Sequence, residues 1–453
     1  MPDAGLPRPL TPFERYMVLD DRPGYRMTFL VQVDFDGVFE RDRLQRAVCQ
    51  ALERHPMLRT TTRRGRTWRT PMPARDVATV HWLPWTANPP KEGFVPIDLT
   101  REAGTRFFAQ EQDGRMRWLV QAHHAVTDGQ GVAQFCWDVA RAYAADSATS
   151  TTQADATDAT PTVVAPVPAD TAAPHTAPGS RMPSASEALG FLMRRPARVR
   201  GTPPSAALRR AALADQLVPT ALTHVFDDAA FARLRAAAGA HAASVNDLFL
   251  AALLQVLAEW NRPAAPYAGS DWLRVMVPTT LRTRHHAALG ATNAVGYAFL
   301  DRRMRDCGDT RTLIVGVHDE MRAARVNRVG AQIVGGMALA DRVPALLGLI
   351  LRAPLTLASV VFTNLGRAAP RIPGPAARDA DALGPHLPRI THARGIMPLR
   401  PGTRAGFVLL RLRHTLVLTL RTDPQYLDQE AASALLSAYV ARMESITQSL
   451  PAT

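Results

Sequence analysis

The spacing of hydrophobic residues changes at one point in the first third of the chain. In residues 115–120, side chains alternate with the two-residue period of a half-buried β-strand. In residues 132–143, apolar side chains recur at three- and four-residue steps, which is typical of a helix that packs by one face. The pattern therefore predicts a strand, a tight connection and a helix.

The predicted connection contains His123 and His124, followed by Asp128 and Gly129. A side chain in such a connection can be held rigidly and still reach a cleft. Because imidazole is neutral and basic near pH 7, His124 is suited to take a proton from a hydroxyl or amine that attacks a carbonyl. Two other interpretations stay open: a structural histidine pair, and a metal site in which His124 and Asp128 share a face.

The same periodicities predict elements on both sides of this motif. Thr11 and Ser244 are predicted helix N-caps. His55 closes a predicted helix as a structural residue whose cation suits the negative helix end. The predicted strands cover residues 27–36, 273–277, 406–412 and 416–421, and further helices cover residues 42–55, 244–260 and 429–450.

Composition divides the chain into two halves. Residues 145–186 contain no aromatic residue and are rich in Ala, Thr, Pro and Asp. Such a segment buries too little apolar surface to offset its chain entropy, so it is predicted to be a disordered linker. The N-terminal half then comprises residues 1–144 and the C-terminal half residues 187–453, which suits a chain of 453 residues.

Charge and cysteine content restrict the function class. The net charge of +13 suits an acidic partner or a phosphate-bearing ligand. No basic stretch interleaved with aromatic residues and no zinc-finger spacing is present, so nucleic-acid binding is not expected. The three cysteines lie far apart, which predicts neither a disulfide scaffold nor a zinc site and fits a reducing cytoplasm. No signal peptide or membrane span of roughly 18–20 apolar residues is recognised, so a soluble protein is expected.

A basic run follows the predicted linker and contains no acidic residue. Its first members are Arg194, Arg195, Arg198 and Arg200. One interpretation is a solvated face. The other is a docking surface for an acidic carrier protein, a phosphopantetheine phosphate or an anionic lipid surface.

The string from His123 to Gly129 resembles the HHxxxDG signature of the chloramphenicol-acetyltransferase-like acyltransferases. That superfamily includes peptide-synthetase condensation domains, polyketide-associated acyltransferases, plant alcohol acyltransferases and wax ester/diacylglycerol acyltransferases. Weaker resemblances occur in the family's order, at residues 54–59, 244–257, 278–282, 290–296 and 362–366. A second pair, His285-His286, lacks the following Asp-Gly and is interpreted as part of a polar loop.

The resemblance implies an α/β fold of two similar halves, each with a mixed or antiparallel sheet, that meet at a central cleft or tunnel. His124 is then the general base, within a motif completed by His123 and Gly129. Asp128 is expected to pair with Arg282 of the second half and to fix the motif loop. The remaining implied site residues are the site-shaping Asn293 and the oxyanion donors Thr363 and Asn364; the family carries Ser where Thr363 stands.

The implied reaction moves an acyl group from a carrier-protein or coenzyme A thioester to an alcohol or amine. Neither a metal nor a bound cofactor is expected, because the thioester is the activated co-substrate, and the protein is expected to be a monomer. Two alternatives remain. One is a membrane-surface lipid acyltransferase of the wax ester/diacylglycerol class, and the other is a catalytically silent, carrier-docking scaffold.

Overall fold

The computed structural model describes residues 5–151, 190–191, 193–262, 271–282, 290–343, 345–353, 355–367 and 388–448. Within these ranges the chain forms three β-sheets and the helices that cover them. The strands are β1 (Arg8–Pro9), β2 (Thr28–Asp36), β3 (Thr62–Arg63), β4 (Thr67–Trp68), β5 (Val80–Leu83), β6 (Thr105–Gln112), β7 (Arg115–His123), β8 (Thr220–Phe226), β9 (Trp272–Thr280), β10 (Val295–Arg303), β11 (Val360–Arg367), β12 (Arg389–Ile396), β13 (Ala405–Leu412) and β14 (Thr415–Thr422). The helices are α1 (Pro12–Asp20), α2 (Arg41–Glu53), α3 (Ala74–Val77), α4 (Gly129–Thr151), α5 (Ala206–Leu213), α6 (Asp228–Ala240), α7 (Val245–Asn261), α8 (Thr310–Val326), α9 (Val329–Asp341), α10 (Leu346–Arg352) and α11 (Gln429–Gln448).

A five-stranded mixed sheet, in the order β12-β2-β7-β6-β5, lies in the N-terminal half. β2 and β7 pair antiparallel, with Thr28 opposite His123. The predicted half-buried strand, β7, is buried at every position after Arg115. One of its faces packs in the main N-terminal core with α2 and α4, and the other packs in a smaller apolar cluster around Leu30 and Leu119. Both faces of β7 are therefore covered.

A six-stranded mixed sheet, in the order β10-β9-β11-β13-β14-β8, lies in the C-terminal half. Helix α7 is buried without interruption over residues 247–258, although the sequence predicted a buried stripe. The reason is that α6, α8 and α11 pack around α7 while its remaining side faces the sheet. The third sheet contains only the short strands β1, β4 and β3.

The two halves exchange elements, which the predicted boundaries did not foresee. Strand β12, from the C-terminal half, pairs with β2 and so forms the edge of the N-terminal sheet. Helix α1, from the N-terminus, packs against α9 and α10 of the C-terminal half. A division at the linker therefore separates the two halves along the sequence. In the folded protein, each half also packs with an element from the other.

Helix α4 corrects the predicted start of the linker. It continues to Thr151, beyond the expected end of the N-terminal half at residue 144. Apolar periodicity ceases near Tyr143, but the alanines that follow have high helix propensity, and this was missed. The rest of the predicted linker, and the His285-His286 pair, lie outside the described residues.

The predicted helix starts are confirmed. Thr11 caps α1 in a capping box with Glu14, with Pro12 as the first helical residue. Ser244 caps α7 in the same way with Asp247, whose backbone N–H donates to the Ser244 hydroxyl at 3.2 Å. These starts were predictable because each cap is completed within four consecutive residues.

His55 differs from the expected cation. It is buried between the two halves, and its Nδ1 accepts the Ala291 N–H at 2.8 Å. The ring proton is therefore on Nε2, which lies 2.9 Å from Asp138 Oδ2 and donates to it. A neutral imidazole satisfies both contacts, so His55 connects the N-terminal core to the loop before β10.

No single helix among the described residues has both the length and the apolar character of a membrane span. Two pairs of helices, α6 with α7 and α9 with α10, have the length and the apolar character of a span only when the two helices of a pair are taken together, and each pair is sharply bent. The same part of the chain contains no group of three or more His, Cys, Asp or Glu side chains placed to hold a metal ion. That no metal takes part in the reaction stays a prediction.

Candidate active site

The two halves enclose a cavity of about 130 Å³ where β7 ends and α4 begins. We call it the central cavity. His124 and Asp128 of the β7–α4 connection line it, as do Arg282 after β9 and Thr363 and Asn364 of β11. Residues that are up to about 240 positions apart in the sequence thus meet at one cavity, and Gly129 also belongs to its lining.

His124 is held by its backbone on both sides. Its N–H donates to the Met27 carbonyl at 2.7 Å, and its carbonyl accepts from the Asn293 amide. The half-buried imidazole packs on the Phe29 ring, with 5.2 Å between ring centroids. A backbone anchored in this way leaves the ring few orientations, which suits a residue that must meet a reacting group.

The surroundings of the His124 ring keep it neutral. Burial lowers the pKa of His124 below its ordinary value, while the Asp128 carboxylate and the Asn293 side chain oppose this shift. His124 Nδ1 and Asn293 Oδ1 are both buried and have no hydrogen-bond partner within the described ranges. A neutral imidazole is the form that can accept a proton.

His123 lies in a different environment from its neighbour. It is 2% exposed and does not line the central cavity. Its Nδ1 accepts the Ala125 N–H at 3.1 Å, and its Nε2 lies 3.9 Å from Asp21 Oδ1. Burial lowers the pKa of His123 to about 4. The two histidines therefore diverge as adjacent residues at a strand end do, and His123 supports the loop from inside.

Both oxygens of Asp128 are occupied. Oδ1 accepts the Gly131 N–H at 2.8 Å, while Oδ2 accepts the Ala294 N–H at 2.9 Å and Arg282 Nη1 at 2.6 Å. The expected ion pair with Arg282 is therefore present. Across the described part of the chain, no hydrogen bond joins Asp128 to His124. The carboxylate instead ties the motif loop to the loop before β10, in which Arg282 Nη2 also donates to the Thr292 carbonyl at 2.8 Å.

Gly129 is closely approached by a side chain of β11. A Cβ at Gly129 would lie 2.8 Å from Leu365 Cδ2 of β11, so a larger residue would displace that side chain. Leu365 also borders Gly395 of β12, where a Cβ would lie 3.5 Å from Leu365 Cδ1. The glycine of the motif thus allows β11 to pack directly against the start of α4.

Thr363 and Asn364 end the regular part of β11. The β11–β13 pairing shifts register between Asn364 and Gly366. The Asn364 Nδ2 donates to Asn246 Oδ1 at 3.0 Å, and its Oδ1 accepts the Gly366 N–H at 2.8 Å. An amide nitrogen has two hydrogens, so the second remains for a ligand.

The four arginines of the predicted docking surface lie outside the lining of the central cavity, and all are exposed. Arg194 pairs with Asp301, with 3.1 Å between Nε and Oδ2. The basic run has no acidic residue in its own sequence, but the fold brings one from β10 to Arg194. Arg198 Nε donates to the Thr356 hydroxyl at 2.8 Å. Thr356 immediately precedes Leu357, which lines the cavity, so Arg198 lies close to its rim.

The sequence analysis missed a polar group in the central cavity. Tyr16, Tyr297 and Arg400 line it, and Arg400 Nη2 donates to the buried Asp20 Oδ1 at 3.1 Å. Burial raises the pKa of Tyr16 to about 12, so its hydroxyl stays protonated. No local motif marks these residues, because they come from α1, β10 and the loop after β12. Asn246 was also missed, although the resemblance at residues 244–257 included it.

Comparison with known proteins supports the fold. No protein-family model and no curated protein sequence matches the chain. Solved structures do match: polyketide synthase associated protein 5 from Mycobacterium tuberculosis is 16% identical with a TM-score of 0.65, over 97% of this chain and 98% of that one. The first condensation domain of the CDA synthetase is 16% identical with a TM-score of 0.62, over 100% and 98% of the two chains. TRI3 trichothecene 15-O-acetyltransferase from Fusarium sporotrichioides is 14% identical with a TM-score of 0.67, over 97% and 94%.

Proposed function

We propose that this chain, which has the two-lobed chloramphenicol-acetyltransferase-like fold of condensation domains, is an acyltransferase that uses a thioester donor. The observation that carries the proposal is the half-buried His124 ring, which lines a cavity between the two halves and has a lowered pKa. The similar structures include a condensation domain and an acetyltransferase, and this similarity supports the same class of reaction.

In the proposed reaction, His124 removes the proton of an acceptor hydroxyl or amine as the acceptor attacks the thioester carbonyl. The new C–O or C–N bond gives a tetrahedral oxyanion. Collapse of the oxyanion breaks the C–S bond, and the departing thiolate takes the proton from the His124 imidazolium. The products are the acylated acceptor and a free thiol, and the histidine returns to its neutral form.

The oxyanion needs hydrogen-bond donors that are already in place. The Thr363 hydroxyl and the second hydrogen of Asn364 Nδ2 are our candidates, because both residues line the central cavity with His124. Asn246 orients Asn364 through the 3.0 Å contact. A hydroxyl at position 363 retains the donor that the family's Ser supplies.

Acyl transfer is tested by incubating the protein with acyl-CoA or acyl-carrier thioesters and pooled alcohols and amines. Mass spectrometry then detects the acylated acceptors, and thiol release gives the rate. We expect transfer by the wild type and at most trace transfer by His124→Ala. A folded wild-type protein that transfers nothing from any donor would contradict the proposal and favour the silent scaffold.

The acidic limb of the pH profile is expected to lie unusually low. His124 acts as a base only when neutral, and burial lowers its pKa from the ordinary 6.5. The active form therefore persists as the pH falls below 6.5, so the midpoint of kcat/KM against pH should lie below that value. His123 is buried and neutral with a pKa of about 4, so the folded state loses stability as the pH falls from 6.5 towards 4. Circular dichroism should therefore be recorded over the same pH range, to show that the protein is still folded where the rates are measured. A midpoint above 6.5 in folded protein would contradict the assignment.

The exposed arginines Arg195, Arg198 and Arg200 are proposed to bind the phosphate of the donor, either coenzyme A or the phosphopantetheine of a carrier protein. We expect Arg195→Glu/Arg200→Glu to raise the KM for these donors roughly tenfold with kcat unchanged, because charge attraction acts on encounter. Transfer from a small N-acetylcysteamine thioester, which lacks phosphate, should not change.

Two arginines on α5, Arg209 and Arg210, supply the matched control. Both are exposed, so Arg209→Glu/Arg210→Glu changes the net charge equally. We expect this control to leave the KM near its wild-type value. Equal increases in both double variants would show a general effect of net charge and contradict a docking role.

A lipid acceptor at a membrane surface is the second candidate, and one observation favours it. Five large apolar side chains are exposed in residues 339–355, from the end of α9 to the segment before β11. They are Leu339, Val343, Leu349, Ile350 and Leu355. Arg342 and Arg352 in the same segment are also exposed. Exposed apolar side chains together with arginines suit an anionic lipid surface. Co-sedimentation with phosphatidylglycerol vesicles, compared with phosphatidylcholine vesicles, tests this candidate, and no binding to either would contradict it.

A further inference from the structure

A second cavity, of about 80 Å³, lies beside the central cavity. We call it the inner cavity. Strands β2, β7, β11, β12 and β13 and helices α2 and α4 supply its walls. Its lining is largely aliphatic and aromatic, and includes Val33, Phe35, Trp118, Trp137, Val139 and Leu410.

The inner cavity and the central cavity share part of their walls. Val31, Gly129, Leu365 and Gly395 line both. Gly129 directly follows Asp128 in the motif loop, so the shared wall lies within a few residues of His124 along the chain. The two spaces are therefore neighbours on either side of a single thin boundary.

Leu365 has the largest side chain in this boundary. Its Cδ2 fills the space beside Gly129, and its Cδ1 reaches the space beside Gly395. Both neighbours lack side chains, so rotation of Leu365 about its own bonds meets no Cβ from either of them. The residue stands at the register shift of β11, one position after Asn364.

Four arginines also stand around the inner cavity, and two of them are engaged by protein groups. Arg367, Arg394, Arg411 and Arg413 also border it. Arg394 Nε donates to Gln32 Oε1 at 3.0 Å, and Arg411 Nε donates to the Arg413 carbonyl at 3.1 Å. The Cys136 thiol in the lining is unreactive, because burial raises its pKa to about 12.

We infer that the inner cavity receives the distal end of the alkyl chain of a medium- or long-chain acyl donor, and that Leu365 is the gate that admits it from the central cavity. The inference rests on the proposed acyl transfer. With the thioester carbonyl at His124, the tail passes between Gly129 and Gly395 into an apolar space.

Burial of the tail gives a measurable selectivity. Each buried methylene tightens binding by up to roughly fourfold, so acyl chains that enter the inner cavity should be preferred to acetyl. Ala133 on α4 lines the inner cavity but not the central cavity. A larger side chain at Ala133 should therefore shorten the space for the tail without reaching His124.

The first test measures binding without catalysis. Trp118 and Trp137 both line the inner cavity, so a bromine-substituted stearate should quench tryptophan fluorescence with saturation. The wild type and His124→Ala should both be quenched. Ala133→Leu should raise the dissociation constant obtained from the quenching curve at least tenfold. Ala145→Leu, on the exposed side of the same helix, should give the wild-type value.

The second test measures selectivity, with acetyl, hexanoyl, decanoyl and palmitoyl thioesters. Ala133→Leu should lower the palmitoyl-to-acetyl ratio of kcat/KM at least tenfold, and Ala145→Leu should not change it. Leu365→Ala should raise the palmitoyl-to-acetyl ratio, because it removes the side chain that separates the two cavities. This second variant keeps the inference testable if Ala133→Leu does not fold.

The outcomes separate the two proposals. A wild type that transfers acetyl, but shows neither quenching nor any change of ratio in the two cavity variants, overturns the inner-cavity inference and leaves the acyltransferase proposal standing. Quenching that Ala133→Leu removes, without transfer from any donor, overturns the acyltransferase proposal and leaves the inner cavity as a site for alkyl chains.

Discussion

His124→Ala is expected to lower kcat/KM by about two to four orders of magnitude, the usual contribution of a positioned general base. The half-buried ring lines the central cavity, and its lowered pKa keeps it neutral near pH 7. Its backbone is fixed by Met27 and Asn293, so removal of the ring should leave the loop in place. Steady-state thiol release and a thermal unfolding curve on the same preparation measure both effects.

His123→Ala is the matched control, because it removes the same side chain from the adjacent position. His123 is buried away from the cavity and accepts the Ala125 N–H, so its loss should lower stability more than activity per folded molecule. Equal losses of activity at the two positions, with folding intact in both, would contradict the assignment of His124 as the base.

Asp128→Ala and Arg282→Ala are each expected to lower the free energy of unfolding by about 3–5 kcal/mol and to reduce activity. Each substitution leaves the opposite charge in a largely buried site without its partner. The double variant should lose clearly less than the sum of the single variants, because the second substitution removes the charge that the first left unpaired. Denaturant unfolding of the four proteins measures this coupling.

Arg282→Lys sharpens the result. Arg282 uses two nitrogens, one on Asp128 and one on the Thr292 carbonyl, and a lysine ammonium cannot reproduce this fork. We expect Arg282→Lys to recover only part of the lost stability. Fully additive losses in the cycle, or an Asp128→Ala protein that is as stable as the wild type but inactive, would instead indicate direct catalysis by Asp128.

Much of the fold could be predicted from short stretches of sequence. The caps at Thr11 and Ser244 are confirmed, as are the strands around residues 27–36 and 406–421. Each of these depends on the alternation of side chains or on hydrogen bonds among four or five neighbouring residues. The HHxxxDG resemblance also indicated the fold class, which the similar solved structures confirm.

The site was predictable in part. The resemblance brought His124, Thr363 and Asn364 together, and the structure places all three on one cavity, while their roles in catalysis stay predictions. Tyr16, Tyr297 and Arg400 were not foreseen, because each stands in an ordinary helix, strand or loop pattern. Their common position arises only when α1 packs against the C-terminal half.

By itself, the sequence determined several of the strands and helices and where the histidine motif stands between two of them, because periodicity and capping are local. Tertiary structure decided the pairing of β12 with β2, the neutral form of His55, the partner of Arg194 and the boundary that Leu365 forms between the two cavities. The first three features join residues that lie roughly a hundred or more positions apart, and Leu365 joins Gly129 from more than two hundred positions away. Their energies depend on burial and on which polar group comes within hydrogen-bond distance, and the folded chain alone sets both.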